Sequence, residues 1–330
     1  MQLKIGLIGL GRIGKIHYNN IRQQIPEAEV VAVSDVSNDY SQCDVAGIDA
    51  DELIAHSGID AVVICSPTDT HASYIEQCAR AGKHVFCEKP LDLSLARIKE
   101  TLKVVQECGI KLMLGFNRRF DPNFLKIKAL VTDGKIGEPQ LVKITSRDPA
   151  PPSLDYLKSS GGLFLDMTIH DFDMARYIMG KEVKQVYAAA AVLTGGAVAE
   201  AGDIDTAIIT LKFGDGSMAV IDNSRKAVYG YDQRLEVFGS EGMANVDNNK
   251  PDNHVFYHAG GVQSSLPLHF FMERYTASYL MEMRLFVQAI LEGKEIPVDG
   301  MDGLKAVMIA NAATKSYKEN RPVFIEEIEV

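Results

Sequence analysis

The sequence KIGLIGLGRIGKIH at residues 4–17 decides the fold class of this chain. Residues 4–8 form a short apolar run typical of a buried strand, and the motif GLGRIG follows at residues 9–14. Residues 15–24 then have the pattern of a helix. Glycines between a strand and a helix allow a tight turn and the close approach of a pyrophosphate to the helix N-terminus. The stretch therefore predicts a dinucleotide-binding βαβ unit, with a chance glycine turn as the structural alternative.

Asp35 extends this prediction to the identity of the dinucleotide. It ends a second β-rich run at residues 29–34. An acidic residue about 20 positions past the glycines, at a strand end, is where the ribose hydroxyls of NAD are held. Its carboxylate would repel a 2′-phosphate, and no arginine follows it closely, so the sequence favours NAD over NADP.

Alternating strands and helices continue to residue 115. The pattern predicts a strand at 60–65, a helix to residue 81 capped by Asp69 or Thr70, a strand at 83–87, a helix at 94–107 and a strand at 111–115. This alternation indicates a doubly wound parallel sheet. Lys89 follows the fourth strand, at the edge of the sheet where ligands bind. The alternative for Lys89 is an ordinary solvated surface lysine.

The pattern changes after residue 119, and a second domain is expected there. A helix is predicted at 124–131, β-runs at 141–146, 183–192, 206–213, 218–223 and 234–238, and long helices at 270–291 and 303–318. These runs fit an α+β domain built on a largely antiparallel open sheet. We therefore divide the chain into an NAD-binding domain at 1–119 and a substrate-binding and oligomerisation domain at 120–330.

The stretch GGLFLDMTIHDFDMARYI at residues 161–178 is the main candidate for chemistry. As one helix it places Asp166 and His170 four residues apart on the same face, with Asp173 on the neighbouring strip. A carboxylate beside an imidazole can orient the ring and support its charged form. An amphipathic helix with an acidic first turn is the plain alternative. A metal site is disfavoured, because no further His or Cys is spaced to complete it.

Composition excludes several classes of function. The chain has 330 residues, 46% hydrophobic residues and a net charge of −10. This charge disfavours nucleic acids and anionic membranes as partners. No apolar run reaches the roughly 18 residues needed to span a bilayer, and the N-terminus lacks the features of a signal peptide. The five cysteines form no CxxC motif, which predicts reduced thiols in a cytoplasmic protein.

Taken together, the motifs resemble the Gfo/Idh/MocA oxidoreductase family. The likeness rests on GLIGLGRIGKIH, the strand end at Asp35, CSPTDTH, the EKP at 88–90, GFNRRFDPNF and GGLFLDMTIHDFDMARYI, and it covers essentially the whole chain. The tracts SRDPAPP and DMTIHDFDMARY are most similar to the bacterial inositol 2-dehydrogenases. One departure is the crossover between Asp35 and Asp60, where the usual helix is reduced to SNDYSQCDVAGI.

The resemblance implies a role for particular residues. Lys89 matches the catalytic lysine of the family, and Asp166 and His170 match its acid/base pair. The implied cofactor-binding residues are Gly9, Leu10, Gly11, Arg12, Ile13, Asp35, Ser66, Pro67, Thr68, His71, Glu88 and Lys89. The implied substrate-binding residues are Asn117, Arg118, Arg147, Asp148, Asp166, His170, Asp173 and Tyr229, with Tyr231 an equal candidate and Asp155 a further polar group. No metal is implied, and a homotetramer is expected.

The leading hypothesis is an NAD-dependent dehydrogenase of inositol catabolism that oxidises a secondary hydroxyl of a cyclitol. The expected reaction converts myo-inositol to 2-keto-myo-inositol (scyllo-inosose). A dehydrogenase of the same fold acting on scyllo-inositol, another sugar or an amino sugar is the second hypothesis. A non-catalytic NAD-sensing protein is the third, and it would not require the set of Lys89, Asp166 and His170.

Overall fold

The computed structural model describes residues 2–328 and divides them into two compact units. The first contains the chain up to Phe120 together with Ala277–Val307, and the second contains Asp121–Thr276 and the chain from Met308 onward. The sequence predicts one domain boundary, between residues 119 and 120. In the structure, Ala277–Val307 also belongs to the first unit. Helical periodicity shows that a helix has an apolar face, but it does not show which core that face covers.

The first unit is built on a parallel sheet, as the sequence predicts. Within residues 2–328 this sheet has six strands, in which the first strand of the chain lies between the second and the fourth. The strands are Leu3–Ile8, Ala28–Ser34, Ala46–Gly47, Ala61–Ile64, His84–Cys87 and Leu112–Leu114. Ala61–Ile64 is completely buried, which is typical of a strand covered on both faces of the sheet.

Helices connect these strands. The helices between strands of this sheet are Arg12–Gln24, Ala50–Ala55, Thr68–Arg80 and Leu95–Cys108. Nearly all of the later helix Thr276–Leu291 also belongs to the first unit, whereas Gly300–Glu319 begins in the first unit and ends in the second. The short Ala50–Ala55 helix lies in the shortened crossover, and the Asp49 side chain caps it. The expected cap at Asp69 or Thr70 is wrong, because the following helix already begins at Thr68. The Thr70 hydroxyl instead donates to the carbonyl oxygen of Pro67 at 2.7 Å.

The second unit contains a larger, largely antiparallel sheet, which confirms the predicted class. Among the described residues this sheet has seven strands, and one adjacent pair, Pro139–Arg147 with Met218–Ser224, is parallel. The other strands are Val183–Ala191, Thr206–Phe213, Asp232–Gly239, Met243–Val246 and Val323–Phe324. A separate hairpin joins Val255–His258 to Gly261–Ser264.

Short helices accompany this sheet. They are Pro122–Thr132, Leu154–Ser159, Leu163–Asp166, Ile169–Met179, Ala197–Ala201 and Phe271–Arg274. The helix predicted at 270–291 is therefore divided at Tyr275, between Phe271–Arg274 and Thr276–Leu291. None of the helices within residues 2–328 is long and apolar enough to cross a membrane. The five cysteines are free thiols, and burial raises the pKa of Cys65, Cys78 and Cys87.

Candidate active site

The glycine turn of the first unit has the geometry of a pyrophosphate-binding turn. A Cβ atom on Gly9 would lie 2.6 Å from the Cys65 carbonyl carbon, and one on Gly14 would lie 1.9 Å from the Gly9 oxygen. Gly11 differs, because no described heavy atom comes within 4 Å of the position of its missing Cβ. Gly9 and Gly14 therefore allow close backbone packing, whereas Gly11 leaves open space beside the start of the Arg12–Gln24 helix. The open backbone at Gly11 would let an NAD pyrophosphate approach the start of this helix.

Asp35 is linked directly to the glycine turn. Its Oδ2 accepts a hydrogen bond from the Leu10 backbone N–H at 2.6 Å, and its Oδ1 accepts one from Ser37 at 2.8 Å. Partial burial raises the pKa of Asp35, but hydrogen bonds from Ser37 and Leu10 outweigh this effect and lower it below its ordinary value. The carboxylate is therefore ionised at neutral pH, as an acceptor for ribose hydroxyls must be.

His71 connects two of the predicted cofactor segments. Its Nε2 lies 2.8 Å from the Ser66 carbonyl oxygen, and its Nδ1 lies 2.8 Å from that of Pro90. Both acceptors are carbonyl oxygens, so both bonds form together only when both ring nitrogens carry protons. The ring is buried, which makes His71 a brace between the loops rather than an exposed ligand contact. Pro67 and Thr68 begin the next helix at the same edge.

Lys89 lies at the carboxyl edge of the parallel sheet. Its strand, His84–Cys87, pairs with Ala61–Ile64, which in turn pairs with Leu3–Ile8 before the glycine turn. Lys89 is half-buried, and the Lys89–Pro90 peptide is cis. The structure thus places Lys89 and the glycine turn at one edge of one sheet, where ligands of open parallel sheets bind.

Glu88 was predicted as a cofactor contact, but its carboxylate lies against buried groups of the first unit. Its Oε1 is 2.9 Å from His17 Nε2, and a Cβ atom on Gly115 would lie 3.0 Å from this carboxylate. Glu282 Oε1 lies 3.8 Å from the same His17 nitrogen. Sequence reasoning missed His17 and Glu282. His17 ends the motif that decides the fold, whereas nothing near Glu282 in the sequence indicates this environment.

Potential metal ligands also converge at this point. In the part of the chain that the structure describes, the ligand atoms of His17, Cys65 and Glu88 lie within 4.8 Å of one another. A hydrogen bond accounts for the proximity of His17 and Glu88.

In the second unit, the predicted single helix over residues 161–178 is wrong. One helix ends at Asp166, and a second, Ile169–Met179, contains His170 in its first turn. Thr168 lies at the break, where its hydroxyl bonds to the Leu163 carbonyl oxygen at 3.2 Å and to Asn223 Oδ1 at 2.6 Å. A hydroxyl that bonds to a nearby backbone carbonyl competes with regular helix geometry. Asp166 and His170 therefore belong to two helices, and both are half-buried.

Asp166 has two hydrogen-bond donors that sequence reasoning missed. Tyr156 donates its hydroxyl to Oδ1 at 2.7 Å, and Arg225 Nη1 donates to Oδ2 at 3.2 Å. Arg225 directly follows the strand Met218–Ser224. Its position in SRK gives no indication in the sequence that it pairs with Asp166.

The other acidic residues of this stretch are buried. Asp171 accepts a hydrogen bond from Asn223 Nδ2 at 2.9 Å. Asp173, a predicted substrate contact, lies 4.0 Å from Arg176 Nη1. Arg176 also donates to both carboxylate oxygens of Glu182 at 2.9 Å.

Two further predicted substrate contacts meet each other. Arg147 Nη1 donates to the Tyr229 hydroxyl at 3.1 Å, and its Nε donates to Asp222 at 3.0 Å. Tyr229 donates in turn to Asp232 at 2.5 Å. The hydrogen bond with Asp222 is the main cause that raises the pKa of Arg147. Sequence reasoning missed Asp222 and Asp232, which neutralise this arginine.

The remaining predicted residues differ in exposure. Tyr231 is buried and packs edge-on against Tyr275, so Tyr229 is the more accessible of the two tyrosines. Asp148 is half-buried, with its backbone bonded to Ser224 and Ala227, and Asp155 is exposed. Asn117 and Arg118 lie buried in a 3₁₀ turn of the first unit.

Comparisons with known proteins agree with this geometry. Residues 3–116 match the model of the oxidoreductase family with an NAD-binding Rossmann fold, and residues 124–245 match the GFO/IDH/MocA C-terminal domain. The chain is 49% identical to a myo-inositol 2-dehydrogenase of Thermotoga maritima, over 99% of both chains.

Solved structures are also similar over nearly the full length. A myo-inositol dehydrogenase of Corynebacterium glutamicum aligns with a TM-score of 0.94 at 39% identity, covering 98% of this chain and 99% of that one. The scyllo-inositol dehydrogenase of Lactobacillus casei with bound NAD(H) and scyllo-inositol aligns with a TM-score of 0.91 at 34% identity, covering 99% and 100%. The glycine turn, the fold of each unit and these full-length similarities all agree. The chain therefore belongs to the Gfo/Idh/MocA oxidoreductase family and has an NAD-binding Rossmann domain.

Proposed function

We propose that this protein is an NAD-dependent dehydrogenase that oxidises a secondary hydroxyl of a cyclitol, converting myo-inositol to 2-keto-myo-inositol. The observation that carries the proposal is the full-length 49% identity to a myo-inositol 2-dehydrogenase. Two features of the chain support the proposal. One is the lysine at the ligand-binding edge of the Rossmann sheet, and the other is the Asp/His pair in the second unit. The assignment to inositol catabolism follows from this substrate.

The first unit contributes cofactor binding. Gly11 leaves room for the pyrophosphate, and Asp35 accepts hydrogen bonds from the ribose hydroxyls. Bound NAD supplies the carbon that accepts a hydride. The remaining work of the protein is to remove the hydroxyl proton and to stabilise the oxygen as negative charge develops.

Three residues perform this work in the proposed mechanism. His170 accepts the hydroxyl proton, because an imidazole titrates near neutral pH. Asp166 orients the ring and stabilises its charged form. The Lys89 ammonium stabilises the developing alkoxide.

A polyol needs many polar partners. The proposed substrate contacts are Asn117, Arg118, Arg147, Asp148, Asp155, Asp173 and Tyr229. Arg147 and Tyr229 already share a hydrogen bond, and the Tyr229 proton goes to Asp232, so a substrate hydroxyl would meet a pre-positioned arginine donor beside a tyrosine oxygen that can accept.

Oxidation of scyllo-inositol is the second candidate. It is favoured by the similarity to the Lactobacillus casei enzyme, although identity there is only 34%. A non-catalytic NAD sensor would have no use for Lys89, Asp166 and His170 together.

A spectrophotometric assay tests the proposal. NADH formation is followed at 340 nm with myo-inositol, scyllo-inositol, glucose and an amino sugar, for the parent protein and for His170→Ala. We expect the highest kcat/KM with myo-inositol and NAD, and its loss in the variant. A higher kcat/KM with scyllo-inositol would favour the second candidate, and NAD binding without turnover of any polyol would favour the sensor.

The proposal extends to assembly and location. Ile208, Met218 and Phe238 are exposed apolar side chains on strands of the second unit. Exposed apolar side chains grouped on one sheet are typical of a surface that associates with another copy. A homotetramer, as the family resemblance implies, would cover them, and the free cysteines favour a cytoplasmic location. Light scattering after size exclusion tests the subunit number, and a monomer would contradict it.

A further inference from the structure

The guanidinium of Arg225 is almost completely buried. Only 1% of its surface is exposed, and it is among the largest fully buried side chains of the described chain. Its backbone N–H donates to the Asp205 carbonyl oxygen at 2.8 Å, which fixes the start of the segment after the strand. A buried cation is costly unless negative charges face it.

Two carboxylates compensate this charge. Asp166 Oδ2 lies 3.2 Å from Nη1, and Asp203 Oδ2 lies 3.5 Å from Nη2. Both carboxylates are themselves mostly buried, so solvent screens the three charges weakly. Arg225 thus joins Asp166 to a second acidic residue that the proposed mechanism does not use.

Asp203 also holds the helix that carries Asp166. Its Oδ1 accepts a hydrogen bond from the Leu163 N–H at 3.1 Å, at the first residue of the Leu163–Asp166 helix. A Cβ atom on Gly162, which has a φ of +84°, would lie 2.8 Å from the same oxygen. The short helix is therefore tied to Asp203 at its start and to Arg225 at its end.

Tyr156 completes the environment of Asp166. Its hydroxyl donates to Oδ1 at 2.7 Å, so both oxygens of the carboxylate accept a hydrogen bond. The Tyr156 ring is exposed, whereas Arg225 is buried, so the arginine provides the fixed partner. A charge-assisted hydrogen bond to a buried cation stabilises the anionic form and restricts its orientation.

We propose that Arg225, backed by Asp203, is a positioning residue that holds the Asp166 carboxylate in one orientation for its work with His170. This inference rests on the proposed function. Arg225 touches neither substrate nor cofactor in this proposal, and it acts through Asp166. Asp203 supports it by orienting the guanidinium and by anchoring the start of the Asp166 helix.

The test compares pH profiles of kcat/KM for myo-inositol oxidation. In the parent enzyme, activity rises with pH as His170 loses its proton. Arg225→Gln removes a positive charge beside Asp166, so the protonated form of His170 is less strongly opposed. The rising limb should therefore move to higher pH by about one unit, and kcat should fall by about 10², with KM for NAD unchanged.

Arg225→Lys separates charge from geometry. A lysine retains the positive charge but lacks the planar fork that reaches two carboxylates. We expect the limb to keep its position and kcat to fall by about tenfold. Arg274→Lys is the matched control, because Arg274 is also buried but pairs with Asp121. It should leave the pH profile unchanged.

Asp166→Asn, measured in parallel, separates this inference from the proposed function. Near-normal turnover of Asp166→Asn would overturn the proposed role of Asp166 itself. An impaired Asp166→Asn beside an Arg225→Gln enzyme with the parent pH profile and kcat would overturn the positioning role alone. If Arg225→Gln does not fold, the Asp203→Asn/Arg225→Gln double variant takes its place, because it removes one opposite charge with the cation. The same loss of kcat is expected from it, with little shift of the limb because the two removed charges offset each other, and a parent kcat would be the contrary result.

Discussion

Glu282 provides a direct test of how burial changes the pKa of a carboxyl group. Almost no neighbouring group compensates the cost of burying it. It is fully buried in the helix Thr276–Leu291, and neither carboxyl oxygen has a hydrogen-bond partner among the described residues. Burial, helped by the negative charge of Glu88, raises its pKa well above the ordinary value of 4.5. We therefore expect Glu282 to be neutral in the folded protein when it is already ionised in the unfolded chain.

This difference makes folding stability depend on pH. Below about pH 4.5 the residue is protonated in both states, so it imposes no electrostatic cost. As pH rises above this value only the unfolded chain releases the proton, and stability falls until the pH passes the raised pKa of the folded state. The maximum slope is about 1.4 kcal/mol per pH unit.

Glu282→Gln removes this dependence while keeping the shape of the side chain. Glutamine has no proton to release, and the replaced carboxyl loses no hydrogen bond. Between the ordinary carboxyl pKa and the raised pKa of the folded state, the variant should gain at most about 1.4 kcal/mol per pH unit relative to the parent. At about 2–4 °C per kcal/mol, its melting temperature relative to the parent should rise by at most about 3–6 °C per pH unit.

Thermal melts followed by circular dichroism at three pH values measure the effect. Glu107→Gln is the control, because Glu107 is an exposed helical glutamate of the same unit and should give a nearly constant difference. A difference between Glu282→Gln and the parent that does not change with pH would refute the reasoning. A variant that loses stability relative to the parent as pH rises would instead indicate that Glu282 is ionised in the folded protein.

Three further predictions concern the proposed chemistry. Asp35→Ser should reduce the preference for NAD over NADP, measured as the ratio of kcat/KM values, because it removes a ribose acceptor and a charge that repels a 2′-phosphate; an unchanged ratio would contradict the role of Asp35. Lys89→Ala should lower kcat by about 10² or more with little change in melting temperature, since one electrostatic stabiliser is lost; near-normal turnover would return Lys89 to the role of a solvated lysine. His170→Ala should cost about 10² to 10⁴ in kcat and Asp166→Asn a comparable factor, and the double variant should be little worse than His170→Ala alone if the two act as a unit; strictly multiplicative effects would show that they do not.

The succession of strands and helices along the first unit can be predicted from local sequence patterns. Strand and helix periods are properties of adjacent residues, and the glycines of residues 9–14 act on a turn that they form themselves. Asp35 was found for the same reason, because it directly ends the next strand. The structure confirms this sheet, and Gly9 and Gly14 have the close packing that the motif requires.

The helix break at Thr168 could not be predicted from local sequence patterns. Periodicity over residues 161–178 fits one helix, and the spacing of Asp166 and His170 was interpreted on that basis. The Thr168 hydroxyl bonds to Asn223, which comes from a strand 55 residues later in the chain. A local pattern cannot include such a partner, so the interruption depends on the packed structure.

The sequence by itself determined the Rossmann unit, the class of the second sheet and the candidate residues Lys89, Asp166 and His170, because each follows from short-range spacing or a family motif. Only the tertiary structure decided which charges meet. Arg225 and Asp166 are 59 residues apart, and Glu282 reaches His17 only because the chain returns to the first unit. Buried charges require opposite charges or protons nearby whatever their separation in sequence. Their partners are therefore set by the packing of strands and helices, which no local pattern encodes.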